Sequence, residues 1–319
     1  MRLKNLNIDK ETPIFLAPMA GVTDLTFRQI CAELGADVTC TEMISAKALS
    51  YNNKKTFDLM KKYDGETPAA IQLFGSDPGL MAEMAQRVEP EFDIIDVNMG
   101  CPVNKVVGNN EGSALMKNPL LAEKIVSKMA GVLVKPLTVK IRSGFDKDHI
   151  NAAEFAKRLE GAGASAIAVH ARTREQMYHG SADPEIIRQV KEAVGIPVIG
   201  NGDIFSGEDA VRMKEKTGAD AVMIARGAQG DPWIFARVRS ALDKKATPRE
   251  TSINRMKTII RHAQGLVRDK GESVGIREMR KHLSWYTAGM KDSAEFRRKT
   301  NYIVSLKELI EITEAFFNG

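Results

Sequence analysis

The sequence predicts an α/β fold: a (β/α)8 TIM barrel followed by a small all-helical C-terminal domain. Three observations carry that expectation. Eight short apolar, β-rich runs recur between Pro13 and Leu242, amphipathic helical stretches alternate with them, and after Asp243 only helical periodicity continues. Strict β/α alternation with continuously apolar strands implies a parallel sheet covered by helices. Eight such units suit closure into a barrel, although order alone leaves an open doubly wound sheet as the alternative.

In chain order the runs are IFLAPM (14–19), DVTCTEMIS (37–45), AAIQLFG (69–75), DIIDVNMG (93–100), PLTVKIRSG (136–144), AIAVHART (166–173), IPVIGNGDI (196–204) and AVMIARG (221–227). Helical patterns fall between them at 24–34, 78–88, 120–129, 152–160, 184–193 and 207–216. Ala152, Phe155, Ala156 and Leu159 show the spacing that gives a helix one apolar face. Gly35, Gly163, Gly195 and Gly218 precede the next strands, where left-handed C-caps are expected. The tail reads as three helices at 250–270, 275–290 and 293–317. The expected division is a barrel over 1–243 and a helical domain over 244–319.

Composition narrows the class. Of 319 residues, 43% are hydrophobic and 27% charged, which is ordinary for a globular chain. The three cysteines, Cys31, Cys40 and Cys101, form neither a CxxC pair nor a disulfide framework, so a reducing compartment and no structural zinc are expected. The opening residues carry no apolar leader, and no stretch reaches the roughly 18 apolar residues of a membrane span. The expectation is a cytoplasmic protein with no membrane association. A net charge of +5 and a pI near 9.0 point to a polyanionic partner. From Pro248 onward fourteen basic residues stand against nine acidic ones, a net +5, so the positive charge is segregated in the tail.

Barrels of this kind place their chemistry at the C-terminal ends of the strands. Those ends hold Pro18, Met19 and Ala20; Gln72; Asn98 with Cys101; Lys140 with Arg142; His170 with Arg172; Asn201, Gly202 and Asp203; and Arg226 with Gly227. A purely structural barrel would not need that convergence. Cys101 lies beyond the apolar run DIIDV, beside Gly100 and Pro102, whereas a packing cysteine belongs within the run. Lys140 alternates with Val139 and Ile141, so inside a barrel it points inward and needs an anion or polar ligand. His170 is a candidate ligand contact, while Gln72 and Asn98 could serve a ligand or neighbouring backbone. The glycine-rich loops GNGDI and ARGAQGDPW suit a phosphate, with Arg226 adding charge, or are ordinary turns. No His/Cys/Asp set has metal-ligand spacing, and no GxSxG elbow or Walker loop is present. Together these groups suggest a flavin mononucleotide barrel, with Lys140 at the electron-rich edge of the flavin and Cys101 as acid or base.

The same residues resemble the tRNA-dihydrouridine synthase family, of the bacterial B type. The resemblance rests on LAPMAGVTD (16–24), QLFG (72–75), DVNMGCP (96–102), VKIRSG (139–144), VHART (169–173), IGNGDI (199–204) and IREMRKHLSWY (276–286), in that order along nearly the whole chain. It implies reduction of specific uridines in tRNA to 5,6-dihydrouridine by tightly bound FMN, with NADPH (or NADH) as reductant. Hydride would go to carbon 6 and the Cys101 proton to carbon 5. By motif match, Pro18, Met19 and Ala20 would cradle the flavin ring, and Gln72 and Lys140 would bond its polar edge. His170 would contact flavin or substrate, and Asn201, Gly202, Asp203, Ala225 and Arg226 would hold ribityl and phosphate. Asn98 and Arg142 would contact the uracil. Arg172, Arg277, Arg280, Lys281 and His282 are the expected tRNA contacts; Trp285 or Tyr286 could stack on a base, with core packing the favoured role. No obligate protein partner and no metal are implied. Ala225 departs from a position where many relatives carry glycine; a positive φ there would strain it.

Two other readings remain. A flavin barrel of the dihydroorotate dehydrogenase type, acting on a free pyrimidine, would not need the basic tail. A non-catalytic tRNA-binding protein would not need Cys101, Lys140 and both glycine-rich loops.

Overall fold

A computed structural model describes residues 1–318. The chain opens with an antiparallel hairpin, β1 (Arg2–Leu3) and β2 (Leu6–Asn7), a feature absent from the sequence reading. All eight expected strands follow: β3 (Ile14–Leu16), β4 (Thr39–Ser45), β5 (Ala69–Phe74), β6 (Ile94–Met99), β7 (Leu137–Arg142), β8 (Ala166–His170), β9 (Val198–Asn201) and β10 (Ala221–Ile224). They form one parallel sheet in the order β3-β10-β9-β8-β7-β6-β5-β4. A bridge between Phe15 and Val38, with Leu16 N–H donating to the Val38 carbonyl at 2.9 Å, brings its two ends together. The open-sheet alternative is thereby excluded.

Alternate strand residues feed two cores. Outward side chains such as Ile71, Ile95, Val97, Val139, Ile141, Ile167 and Val222 pack beneath the helices. Inward, Phe15, Cys40, Ala70, Ile94, Ala168 and Ile199 fill the lower barrel, where Leu3 and Ile8 from the N-terminal segment join them. The hairpin thus packs into the barrel interior, and the polar inward residues lie nearer the strands' C-terminal ends.

The surrounding helices are α1 (Leu25–Glu33), α2 (Ala46–Ser50), α3 (Lys54–Leu59), α4 (Pro78–Val88), α5 (Asn104–Val107), α6 (Pro119–Ala130), α7 (Ala152–Gly161), α8 (Pro184–Ala193), α9 (Gly207–Thr217) and α10 (Ile234–Leu242). The side chains of Asp24, Asp77, Asn118, Asp183 and Ser206 cap five of them by accepting free N–H groups of the first turn. Gly35, Gly163 and Gly218 take the expected positive φ (+109°, +105° and +67°). Gly195 does not: α8 ends at Val194 in extended conformation, leaving no left-handed residue to fill.

The tail forms α11 (Ser252–Lys270), α12 (Glu272–Tyr286), α13 (Ser293–Thr300) and α14 (Leu306–Asn318). The third expected helix is two, because Ser305 starts a new one, its hydroxyl accepting from Glu308 N–H at 3.2 Å. These helices share a core of Ile259, Leu266, Ile276, Met279, Leu283, Tyr286 and Leu309. Tyr286 is fully buried and Trp285 is half-buried, as their packing role requires.

Two backbone approaches lock this bundle to the barrel. A Cβ at Gly265 would lie 1.9 Å from the Thr26 hydroxyl, and one at Gly230 would lie 2.2 Å from the Trp285 carbonyl carbon. Arg255 bridges the same seam, donating to the carbonyls of Gly230 at 3.2 Å and Tyr286 at 2.8 Å. Among the described residues no helix is long and apolar enough to cross a membrane.

Candidate active site

At the C-terminal end of the barrel lies a cavity of about 500 Å3. Fourteen of the expected residues line it: Pro18, Met19, Ala20, Gln72, Asn98, Cys101, Lys140, Arg142, His170, Asn201, Gly202, Asp203, Ala225 and Arg226. Strand register explains much of this convergence. Asn98 pairs with Lys140, Arg142 with His170, and His170 with Asn201 on adjacent strands, so inward side chains meet in layers.

Cys101 sits half-buried at the cavity wall. Its backbone N–H donates to Asn98 Oδ1 at 2.8 Å, and its carbonyl accepts from the Ser113 hydroxyl at 2.8 Å. Burial pushes the thiol's pKa up, so it stays protonated at neutral pH. Behind it runs a buried hydrogen-bonded chain. Thr138 Oγ1 donates to Asp96 Oδ1 at 2.5 Å, and Gln72 Nε2 donates to Asp96 Oδ2 at 2.7 Å. Asn98 Nδ2 donates to Gln72 Oε1 at 2.7 Å, and Asn98 Oδ1 accepts from Cys101 N–H and, at 3.1 Å, from Gly100 N–H.

Lys140 points inward and donates to Asn201 Oδ1 at 3.1 Å; Asn201 is itself fixed by donating to the Met223 carbonyl at 2.8 Å. Burial, reinforced by Arg142 and opposed by Asp96, pushes the Lys140 pKa down to about 8. Burial likewise pushes Asp96 up to about 6. His170 is held neutral by burial and by Lys140, Arg142, Arg172 and Arg226 around it. Arg142 donates Nε to the Gly100 carbonyl at 2.8 Å and Nη1 to the Thr173 and Met177 carbonyls at 2.8 and 2.9 Å.

Two glycine-bearing loops close the far side. Gly202 has φ +133°, and a Cβ at Gly227 would strike the Ile204 carbonyl oxygen at 2.1 Å, so neither position admits a side chain. Asp203 lies between two arginines, accepting from Arg172 Nη2 at 2.7 Å and Arg226 Nη2 at 3.0 Å. Ala225 has φ −116°, so the positive φ that would have called for glycine does not arise.

Two expected tRNA contacts are misplaced. Arg172 is 1% exposed and absent from the cavity wall; its guanidinium is spent on the His179 and Gly180 carbonyls and Asp203. His282 is fully buried, stacked edge-on against His262 at 4.5 Å, with both ring nitrogens unpartnered. There the helical fold, not the basic stripe, decides which side of α12 faces inward. Of the same stretch, Arg277 is exposed, and Arg280 and Lys281 are half-buried, Arg280 donating to the Ile303 carbonyl at 2.7 Å. Lys281 Nζ lies 3.0 Å from where a Gly21 Cβ would sit, at the cavity rim.

The donor atoms of Asp24, His262 and His282 all lie within 4.8 Å of one another, an association that spacing along the chain could not reveal. Asp24 and His262 are bonded to each other at 3.0 Å, and the Tyr286 hydroxyl meets His262 Nδ1 at 3.2 Å. The chain thus links the barrel loop after β3 to α11 and α12.

Sequence reasoning also missed Tyr178 and Phe205, which flank Arg226 with ring centres 4.9 and 5.7 Å from its guanidinium carbon. Both sit on irregular loops where no periodicity marks them. Asp96 and Thr138 did leave a signal: polar residues at inward positions of apolar strands.

A parallel barrel that gathers a half-buried thiol, an inward lysine and two glycine-bearing loops around one cavity has the layout of an enzyme of the (β/α)8 class. Comparison with known proteins narrows it. Residues 15–318 match the family model for dihydrouridine synthase, and the chain belongs to that family. It is 41% identical to tRNA-dihydrouridine synthase B of Pasteurella multocida over 307 residues, covering 96% of this chain and 92% of that protein. It is 43% identical to the protein of the same name from Pseudomonas aeruginosa over 296 residues, covering 90% and 87%. In fold it is similar to histamine dehydrogenase from a Rhizobium species, with TM-score 0.62 at 12% identity, over 100% of this chain and 64% of that longer one.

Proposed function

We propose that this enzyme reduces specific uridines of tRNA to 5,6-dihydrouridine with FMN as cofactor, NADPH as reductant and Cys101 as the acid. The observation that carries the reading is the placing of the Cys101 thiol and the inward Lys140 amine on the wall of one cavity. The cavity fits the cofactor: its volume is in the usual range for such sites, Gly202 and Gly227 leave backbone bare, and Arg226 supplies a cation for phosphate. Bound there in its reduced form, the flavin supplies hydride to carbon 6 of the uracil.

The chain's own residues do the rest. Pro18, Met19 and Ala20 bound one side of the ring site, while Gln72 and Lys140 meet its polar edge. Lys140, charged below about pH 8, stabilises negative charge on that edge. Asp203 orients Arg226 toward the phosphate while Arg172 anchors Asp203 from behind. Neutral His170, whose Nε2 faces Arg172 Nη1 at 3.5 Å, has Nδ1 left to donate to the ligand. Asn98 and Arg142 hold the uracil, and the Cys101 S–H bond breaks as its proton forms the new C–H bond at carbon 5. The uridine must leave its stack to reach the cavity. Arg277 and Lys281 grip the RNA backbone beside the rim.

An anaerobic mixing experiment tests this. The NADPH-reduced protein is mixed with tRNA lacking dihydrouridine while flavin reoxidation and product are followed. Stoichiometric reoxidation with dihydrouridine is expected. Reoxidation by a free pyrimidine but not by tRNA would overturn the reading, as would a colourless protein that binds tRNA.

A further inference from the structure

We infer that Asp96 is a positioning residue: its carboxylate sets the direction of the hydrogen-bonded chain that fixes the Cys101 loop and leaves Asn98 only an N–H to offer substrate. The inference rests on the proposed function for its reading of the substrate, but not for its reading of the loop.

An ionised carboxylate accepts hydrogen bonds and donates none, whereas a carboxamide can turn either way. Asp96 is 7% exposed, and both of its oxygens are occupied, by Thr138 and Gln72. Gln72 must therefore point its NH2 at Asp96 and its carbonyl oxygen at Asn98. Asn98 must then point its NH2 at Gln72, which directs its own oxygen at the backbone N–H groups of Gly100 and Cys101. Each choice forces the next, from the barrel interior to the acid.

The chain also decides what the base meets. Asn98 Oδ1 is consumed by the loop, so only the second Nδ2 hydrogen, which faces Met43 Sδ of the cavity lining at 4.0 Å, is left to turn to a ligand. Arg142 offers only donors, with Nη2 left after its Nε and Nη1 bonds to backbone carbonyls. Both groups that face the base beside the acid are thus donors. They match the carbonyl oxygens of uracil and oppose the amino group that cytosine presents in place of one of them. Reversing the chain would turn Asn98 oxygen-outward and set its NH2 against two backbone N–H groups, releasing the loop.

Thr138 makes the idea testable, because its hydroxyl can accept as well as donate. In Asp96→Asn the new NH2 can turn to Thr138 and keep the chain's direction. In Thr138→Val the carboxylate still accepts from Gln72. Only the double variant leaves the introduced carboxamide no acceptor but Gln72, which reverses the chain. Two readouts follow this: single-turnover dihydrouridine formation, and the rate at which iodoacetamide alkylates Cys101, Cys31 and Cys40 being buried.

Each single variant is expected to change either readout by less than about threefold. The double variant is expected to lose at least about tenfold in turnover beyond the product of the singles, as for a buried polar group left unpaired. Its Cys101 should be alkylated faster, and turnover is expressed per bound flavin because Gln72 also meets the flavin edge. Asp96→Asn with Thr138→Ser keeps a hydroxyl and should behave as Asp96→Asn alone. Pairing Asp96→Asn with Thr138→Ala repeats the test should valine impair folding. Multiplicative turnover losses with unchanged alkylation in the double variant would overturn the inference. If wild-type protein turned over no tRNA, the functional reading would fail, while the alkylation rates would still judge the loop.

Discussion

The barrel mouth and the C-terminal bundle respond differently to the same kind of reasoning. At the mouth, every strand-end residue chosen except Arg172 lines the cavity. In the bundle, the basic stretch around 277–282 divides: Arg277 is exposed, Arg280 and Lys281 are half-buried, and His282 is sealed inside. A strand alternates strictly, so knowing which residues are apolar fixes where the polar ones point. A helix in a bundle has neighbours on more than one side, and its partners are chosen by the tertiary fold.

The sharpest test of the mouth is Cys101→Ala. It should lower dihydrouridine formation by at least about 100-fold, the usual scale for a lost general acid, while flavin and tRNA affinity persist. Loss of flavin would instead make the thiol a packing element. Lys140→Met comes next, with a fall of about tenfold or more in turnover. The wild-type pH profile should show the same group. A lysine pKa lowered to about 8 means the charged form is complete below that value and lost above it, so turnover should decline as pH rises through about 8. A profile that stays flat well above that value would remove the charge from the mechanism.

The bundle is expected to respond more gently. Arg277→Gln and Lys281→Gln should each weaken tRNA binding several-fold and lower the salt-dependence slope by about 1. His282→Gln should leave that slope alone and lower the melting temperature instead. A change in tRNA affinity with unchanged melting would return His282 to the surface. The smallest effect belongs to Ala225→Gly: with φ at −116°, it should change flavin binding by less than about twofold.

Much of the fold was legible because its two periods are so regular. The eight strands and the six barrel helices chosen are all present, within a few residues of their expected ends. The β1–β2 hairpin was not legible, since two-residue strands carry no pattern. The split between α13 and α14 hid behind continuous apolar spacing until the Ser305 cap is noticed. At the site, Asp96 and Thr138 are polar breaks in apolar strands, but their spacing alone does not separate Asp96 from Asn98, two residues on and facing the same way. The Asp24, His262 and His282 association depends on a seam between regions more than 230 residues apart, which no local pattern encodes.

That seam has a mechanical meaning. With Gly265 pressed on Thr26 and Gly230 on the Trp285 backbone, the bundle has no room to slide or swing on the barrel. The span from the basic face of α12 to the thiol is therefore a fixed length. Under the proposed function, that span would act as a ruler, selecting a nucleotide by measured distance as well as by the identity of its base.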